Sequence, residues 1–161
     1  MEKFHLGAEE INALLDRKKD GVLSTIGQDG FPYGTPVNYV RIGEKIYFHG
    51  RHVGEKVSNL EACGKVCLTV VETGGFERCG DCCNNTTTIY ESVIVRGTVT
   101  KVTDEAEKVK VLEATIAKLV PERVKDPMNP AAAKAAAVYE IKVESATGKY
   151  HRPMPENKIM Q

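Results

Sequence analysis

Residues 49–56, HGRHVGEK, follow an apolar, strand-like run, KIYF. They gather His49, Gly50, Arg51, His52, Gly54 and Lys56 into a very short span. A helix opening at GEKVSNLEAC would turn free backbone N–H groups and a partial positive charge towards the same place. Gly54 lets the backbone approach an anion, while Arg51 and Lys56 add full charges. Strand, glycine-bearing loop, basic residues and helix start together form a pattern for phosphate capture. Neither GxxxxGK[ST] nor GxGxxG occurs, so this is not a Walker A loop or a dinucleotide fingerprint. The same residues also read as a solvated basic turn, and the local pattern leaves both readings open.

Three further groups bear on chemistry. In YGTPVNYV, residues 33–40, Gly34, Pro36 and Asn38 are unusual strand residues. Main-chain groups of such a strand can pair with the edge of a flat ring, and the alternative is an edge strand whose prolines block aggregation. The five cysteines are Cys63, Cys67, Cys79, Cys82 and Cys83. CGDC is one metal-binding half-motif, but a structural zinc site normally shows two. Cys67, in an apolar run, reads as a small buried hydrophobe, and the loop cysteines otherwise read as reduced or redox-labile thiols. Among His5, His49, His52 and His151, only His49 ends a strand beside the basic cluster, where it could donate to a cofactor or a reducible group. It is the candidate catalytic residue. No Ser–His–Asp or Cys–His arrangement is legible.

The elements that must position these groups follow from periodicity. Ile11, Leu14 and Leu15 share a face of a helix expected over 8–19. VLSTI, FPYGTPVNYVRI and IYFHG are three strands joined by turns at GQDG and GEK. A short helix, GEKVSNLEAC, and a fourth strand, KVCLTVV, come next. Residues 73–88 read as a polar, Cys-rich loop, followed by a long strand, IYESVIVRGTVTKV. Asp104 is the expected N-cap of the longest helix. PERVKDPMNP reads as loop, AAAKAAA is left unassigned, and AVYEIKVESATGKY is the last strand. The expected fold is mainly β (α+β): a six-stranded antiparallel barrel with flanking helices, its strand order undetermined.

Composition bounds the function. The chain has 161 residues, 42% of them hydrophobic, with 22 Lys and Arg against 22 Asp and Glu. One domain over 1–161 is expected. A general nucleic-acid binder usually carries a basic excess that is absent here. No run approaches the ~20 apolar residues of a membrane span, and MEKFHLGAEE lacks a signal-peptide core. The expected location is cytoplasmic, with reduced thiols.

Taken in order, the segment GVLSTIGQDGFPYGTPVNYVRIGEKIYFHGRHVGEKVSNLEACGKVCLTVVE resembles the pyridoxamine 5′-phosphate oxidase-like, FMN-binding split-barrel proteins. It is most similar to their nitroimidazole-resistance branch, as are YESVIVRGTVTKV and YEIKVESATGK further on. The resemblance covers roughly residues 8–150. It implies a homodimer with two FMN sites at its interface. Gly34, Thr35, Pro36, Val37, Asn38 and Tyr39 would lie along the ring and ribityl chain, chiefly through main-chain groups near Val37 and Asn38. His49 and Gly50 would stand beside the flavin, Lys56 would bind the phosphate and Arg51 would assist. Ser92, with Glu91 and Val93, would reach the site from the second subunit. The implied activity is an FMN-dependent oxidoreductase that takes electrons from a nicotinamide or other donor. Its acceptor would be small, such as a 5-nitroimidazole. The cysteine-rich loop departs from the pattern. The substrate residues of true pyridoxamine-phosphate oxidases are not evident in the tail RPMPENKIMQ. Rival readings are pyridoxamine-phosphate oxidation, a non-catalytic flavin- or haem-binding module with His49 or His52 as axial ligand, and a zinc-stabilised interaction domain.

Overall fold

A computed structural model describes residues 4–160. Helix α1, Ala8–Arg17, buries Ile11, Leu14 and Leu15. Glu10 Oε2 accepts the Gly7 N–H at 2.9 Å and so satisfies a donor that the helix start leaves free. Strands β1 (Asp20–Ile26), β2 (Pro32–Ile42) and β3 (Lys45–Gly50) form two successive hairpins, then helix α2 (Glu55–Ala62) begins. Strands β4 (Lys65–Arg78) and β5 (Thr86–Lys101) precede helix α3 (Glu105–Leu119). Asp104 caps α3 as expected, its Oδ1 accepting the Glu107 N–H at 2.7 Å. A 3₁₀ turn at Pro121–Arg123 leads to helix α4 (Pro130–Ala135), strand β6 (Ala137–His151) and strand β7 (Lys158–Met160).

The sheet order is β1-β2-β3-β6-β5-β4-β7, all neighbours antiparallel. Pairing of β1 with β4 through Leu23↔Leu68 closes six strands into a ring, and β7 adds to the far end of β4. This is the expected six-stranded split barrel with flanking helices. Side chains alternate between its two faces, as strand geometry requires. Leu23, Tyr39, Phe48, Leu68, Val93, Val95 and Ile141 fill the interior, capped by Leu14 and Leu15 of α1. The intervening Val40, Tyr47 and Val138 point outward and pack under α3 through Val111.

One expectation needs correction. Residues 73–88 are mostly strand, and only 79–85 form a loop. A bulge between Thr73 and Phe76, at Gly74 and Gly75, lets the β4–β5 ladder resume and run out to Arg78↔Thr86. Glu77 lies in that extension. It is fully buried and accepts hydrogen bonds from Met154 N (2.6 Å), Asn157 Nδ2 (2.7 Å) and His151 Nε2. These donors hold its carboxyl down to about 2, the Met154 N–H contributing most. They also tether the tail that forms β7, a strand absent from the sequence reading. The AAAKAAA stretch, left unassigned above, contributes to α4, which Asn129 caps through Oδ1.

At Gly97 a second bulge interrupts the β5–β6 register. A Cβ at this position would run into the Lys142 carbonyl oxygen and lie 2.9 Å from Ile141 Cγ2. Gly97→Ala is therefore expected to destabilise by about 1–3 kcal/mol, the usual cost of overpacking. Thermal unfolding followed by circular dichroism should show a drop of several degrees in Tm.

Candidate functional site

The ring is incomplete on one side. β2 pairs with β1 from Pro32 to Asn38, but with β3 only from Tyr39 to Ile42. Beyond Tyr39↔Phe48 the strands part, and His49 and Gly50 pair with β6 alone. Among the described residues, the 32–38 half of β2 thus has a strand on one side only. Its other edge keeps main-chain donors and acceptors for a ligand.

Helix α2 stands at the parting. Gly54, with φ of 120°, makes the turn into it, a conformation that suits glycine. Val57 and Leu60 bury its apolar side, contributing about 1.5–3 kcal/mol each. Asn59, 2% exposed, donates through Nδ2 to Thr25 Oγ1 at 3.2 Å, and Thr25 donates to the Tyr33 carbonyl at 3.3 Å. This chain ties α2 to β1 and β2 and sets the roll of the helix. Its sequence signal is a polar residue set among the buried positions of α2, and the sequence reading missed it.

That roll brings Lys56 back over β3. Its Nζ sits 5.4 Å from the centre of the Phe48 ring and 3.4 Å from where a Gly50 Cβ would be. The cation is half-buried, and burial draws its pKa below the ordinary lysine value. Among the described residues it has no carboxylate or hydrogen-bond partner. Thr35 Oγ1 and His49 Nδ1 are buried and equally unpartnered. An unpaired ammonium, the orphaned Thr35 Oγ1 and an open strand edge constitute a site whose missing part is an anion carried on a polar ligand.

The expected residues divide between two faces. Lys56 and Gly50 come together, and Phe48 joins them from the barrel interior. Val37 and Tyr39 turn their side chains into the core, with Tyr39 Oη donating to Leu15 O at 2.8 Å, so only their main chains face the parting. Gly34, Pro36 and Asn38 are exposed, and Asn38 Nδ2 donates to Lys19 O at 3.1 Å. Arg51 and His52 are also exposed, His52 Nδ1 lying 3.3 Å from Lys101 Nζ. His49 alternates with Phe48 and so stands on the outer face, towards α3 and α4. Burial, then the Lys56 charge, lowers its pKa below 6.5, so the imidazole is mostly neutral near pH 7.

Ser92 lies elsewhere in the chain. It pairs with Lys149, whereas His49 pairs with Val138 of the same strand. Eleven residues of β6 separate those partners, about 36 Å at ~3.3 Å per residue if the strand ran straight. Val93 points into the core, and Arg17 and Arg152 of the same chain hold Glu91. No three Cys, His, Asp or Glu residues among the described ones gather as a metal site; Cys79, Cys82 and Cys83 are exposed at the β4–β5 tip.

The sequence pattern of the pyridoxamine 5′-phosphate oxidase family matches residues 7–150. The chain belongs to this family. Solved structures share this fold. A candidate 5-nitroimidazole antibiotic resistance protein from Bacteroides thetaiotaomicron is 22% identical, with a TM-score of 0.76 over 90% of this chain and 85% of that one. The flavocytochrome Anf3 from Azotobacter vinelandii is 27% identical, with a TM-score of 0.78 over 91% and 68%. A FAD- and haem-binding protein from Mycobacterium smegmatis is 18% identical, with a TM-score of 0.82 over 94% and 75%. No curated protein matches the chain. Among the described residues of this family member, no helix is long and apolar enough to cross a membrane.

The electrostatic pairing of His49 with Lys56 can be read directly. Histidine NMR titration should put the His49 pKa below 6.5, and Lys56→Met should raise it only part of the way, because burial is the larger cause. The unfolded chain takes up this proton more readily than the folded one. Stability should therefore fall as pH drops through 6.5, and fall less steeply in His49→Gln.

Proposed function

We propose that this chain binds FMN at the parting of β2 and β3 and is an oxidoreductase acting on a small acceptor such as a nitroaromatic. The observation that carries the reading is the half-buried Lys56, which has no counter-charge within the described chain. A flavin phosphate supplies that charge, and the N–H groups opening α2 add donors to the same oxygens. Arg51, exposed in the loop that leads into α2, would add a second positive charge. Main-chain groups of residues 34–39 would meet the ring edge and ribityl chain, and Thr35 Oγ1 would gain the partner it lacks. Pairing on one side only makes this half of β2 available for such contacts.

FMN held there would supply two-electron redox chemistry between a nicotinamide or comparable donor and the acceptor. The residues of this chain hold, orient and shield. Donors on the free edge of β2 favour negative charge at the ring edge. The neutral His49 is suited to give a hydrogen bond to an acceptor, and the protons taken up on reduction would come from water. Ser92, about 36 Å along β6 from the His49 pairing position, belongs to this site only if a second copy brings it there, so the reading includes a homodimer with one flavin per chain. Membership of the family does not itself assign pyridoxamine-phosphate oxidation, because chemistry resides in the site and not in the fold.

The test is uptake of FMN by the purified, flavin-free protein, followed by absorbance and by quenching of flavin fluorescence. Saturable uptake at one FMN per chain is expected, with bleaching on anaerobic addition of a nicotinamide donor. Lys56→Glu should weaken uptake at least about thirtyfold, since it replaces a charge-assisted contact of about 1.5–3 kcal/mol with repulsion. Wild-type affinity in that variant would overturn the phosphate seat. A Soret band in place of flavin bands would transfer the site to haem.

A further inference from the structure

Between the C-terminal half of α3, residues 121–129 and α4 lies a cavity of about 430 Å³, within the range of small-molecule sites. Leu112, Ile116, Met128, Ala132 and Ala133 line it, and His49 of β3 closes it from the sheet. It exists because α4 is built almost wholly of alanine, which leaves the facing side of α3 without large partners.

The wall is fastened in place. Lys108 of α3, 7% exposed, donates through Nζ to the Lys134 carbonyl of α4 at 2.8 Å. Asn129 Oδ1 accepts the Ala131 and Ala132 N–H groups that open α4. Thr115 donates to Val111 O of its own helix at 2.8 Å, and Arg123 Nε pairs with Asp126 at 2.8 Å. Every charge on the lining is thus compensated, and each of these polar side chains is engaged. His49 is the exception: its Nδ1 is buried and bonded to nothing. A cavity with apolar walls, no net charge and one unsatisfied polar atom defines the chemistry of its occupant.

We infer that this cavity is the binding pocket of a small, uncharged ring compound, held by apolar contact and recognised through one hydrogen bond to His49 Nδ1. The step rests on the reading above in one respect: there the occupant is the acceptor, standing on the opposite face of β3 from the phosphate seat. A charged acceptor finds no counter-ion here, and a long one meets α4. Specificity therefore lies with α3, α4 and the segment between them, a part of the chain that makes no contribution to the proposed phosphate seat.

A neutral N-methylated 5-nitroimidazole is the probe, titrated into the full-length protein with and without saturating FMN. Binding is read from histidine ring nitrogen shifts in NMR, with no turnover required. Saturable binding that moves the His49 Nδ1 resonance is expected. Ala133→Phe, which fills the cavity, should weaken it at least tenfold while FMN uptake stays at the wild-type level. Ala132→Leu is the milder variant should Ala133→Phe not fold, and it should weaken binding in the same direction. Absence of saturable binding overturns the pocket, as does binding that leaves His49 unmoved or survives both substitutions. FMN uptake without probe binding overturns the pocket alone. Probe binding at His49 without FMN uptake supports the pocket and overturns the flavin reading.

Discussion

The functional architecture depends on one constraint: β2 and β3 stop pairing at Tyr39↔Phe48. Had the ladder continued, the main-chain groups of residues 32–38 that face away from β1 would have been spent on β3, and the ring would have been sealed. Because it stops, half of β2 keeps an open edge, β3 ends in a glycine, and α2 enters the gap. Pro32, Gly34 and Pro36 keep that half of β2 poor in ladder donors and in side-chain packing. Tyr39 and Phe48 hold the last pair because both are anchored in the core.

The energetic balance at α2 explains how an unpaired lysine is tolerated. Val57 and Leu60 stabilise the helix on the barrel by burial, and Asn59 fixes its rotation through Thr25. The backbone of Lys56 is thereby fixed at the opening of α2, beside the end of β3. Its ammonium is shielded enough to lose some solvation, yet it keeps a favourable contact with the Phe48 ring. The strain is electrostatic: two titratable groups, Lys56 and His49, repel across β3, and the imidazole yields by staying neutral. An incoming anion relieves this and leaves His49 available on the other face.

Much of the fold was legible in the sequence. α1, the first three strands, α2 and the Asp104 cap all follow from periodicity and punctuation, which are local signals. The 73–88 segment was not, because its strand character comes from a bulge at two glycines and from partners on β5 and β7. Glu77 could not be recognised as a buried anchor, since its three donors lie 74 to 80 residues away. In the candidate site, Lys56, Gly50 and the free half of β2 were expected as a group from local spacing, and they lie around the parting of β2 and β3. The opposite facing of His49 and the inward turn of Tyr39 were not legible, because each depends on how strands register around the ring.

By itself the sequence determined the chemistry available: a cationic turn at the end of a strand, a proline- and glycine-marked edge and a histidine beside them. Local spacing suffices for that, since residues a few positions apart cannot be far apart in space. Only the tertiary structure decided which of these groups lack partners. Whether Lys56, Thr35 Oγ1 and His49 Nδ1 are satisfied depends on side chains and strands remote in sequence, and closure of the barrel places none of them within reach. The same closure put α4, a helix of little sequence character, opposite His49.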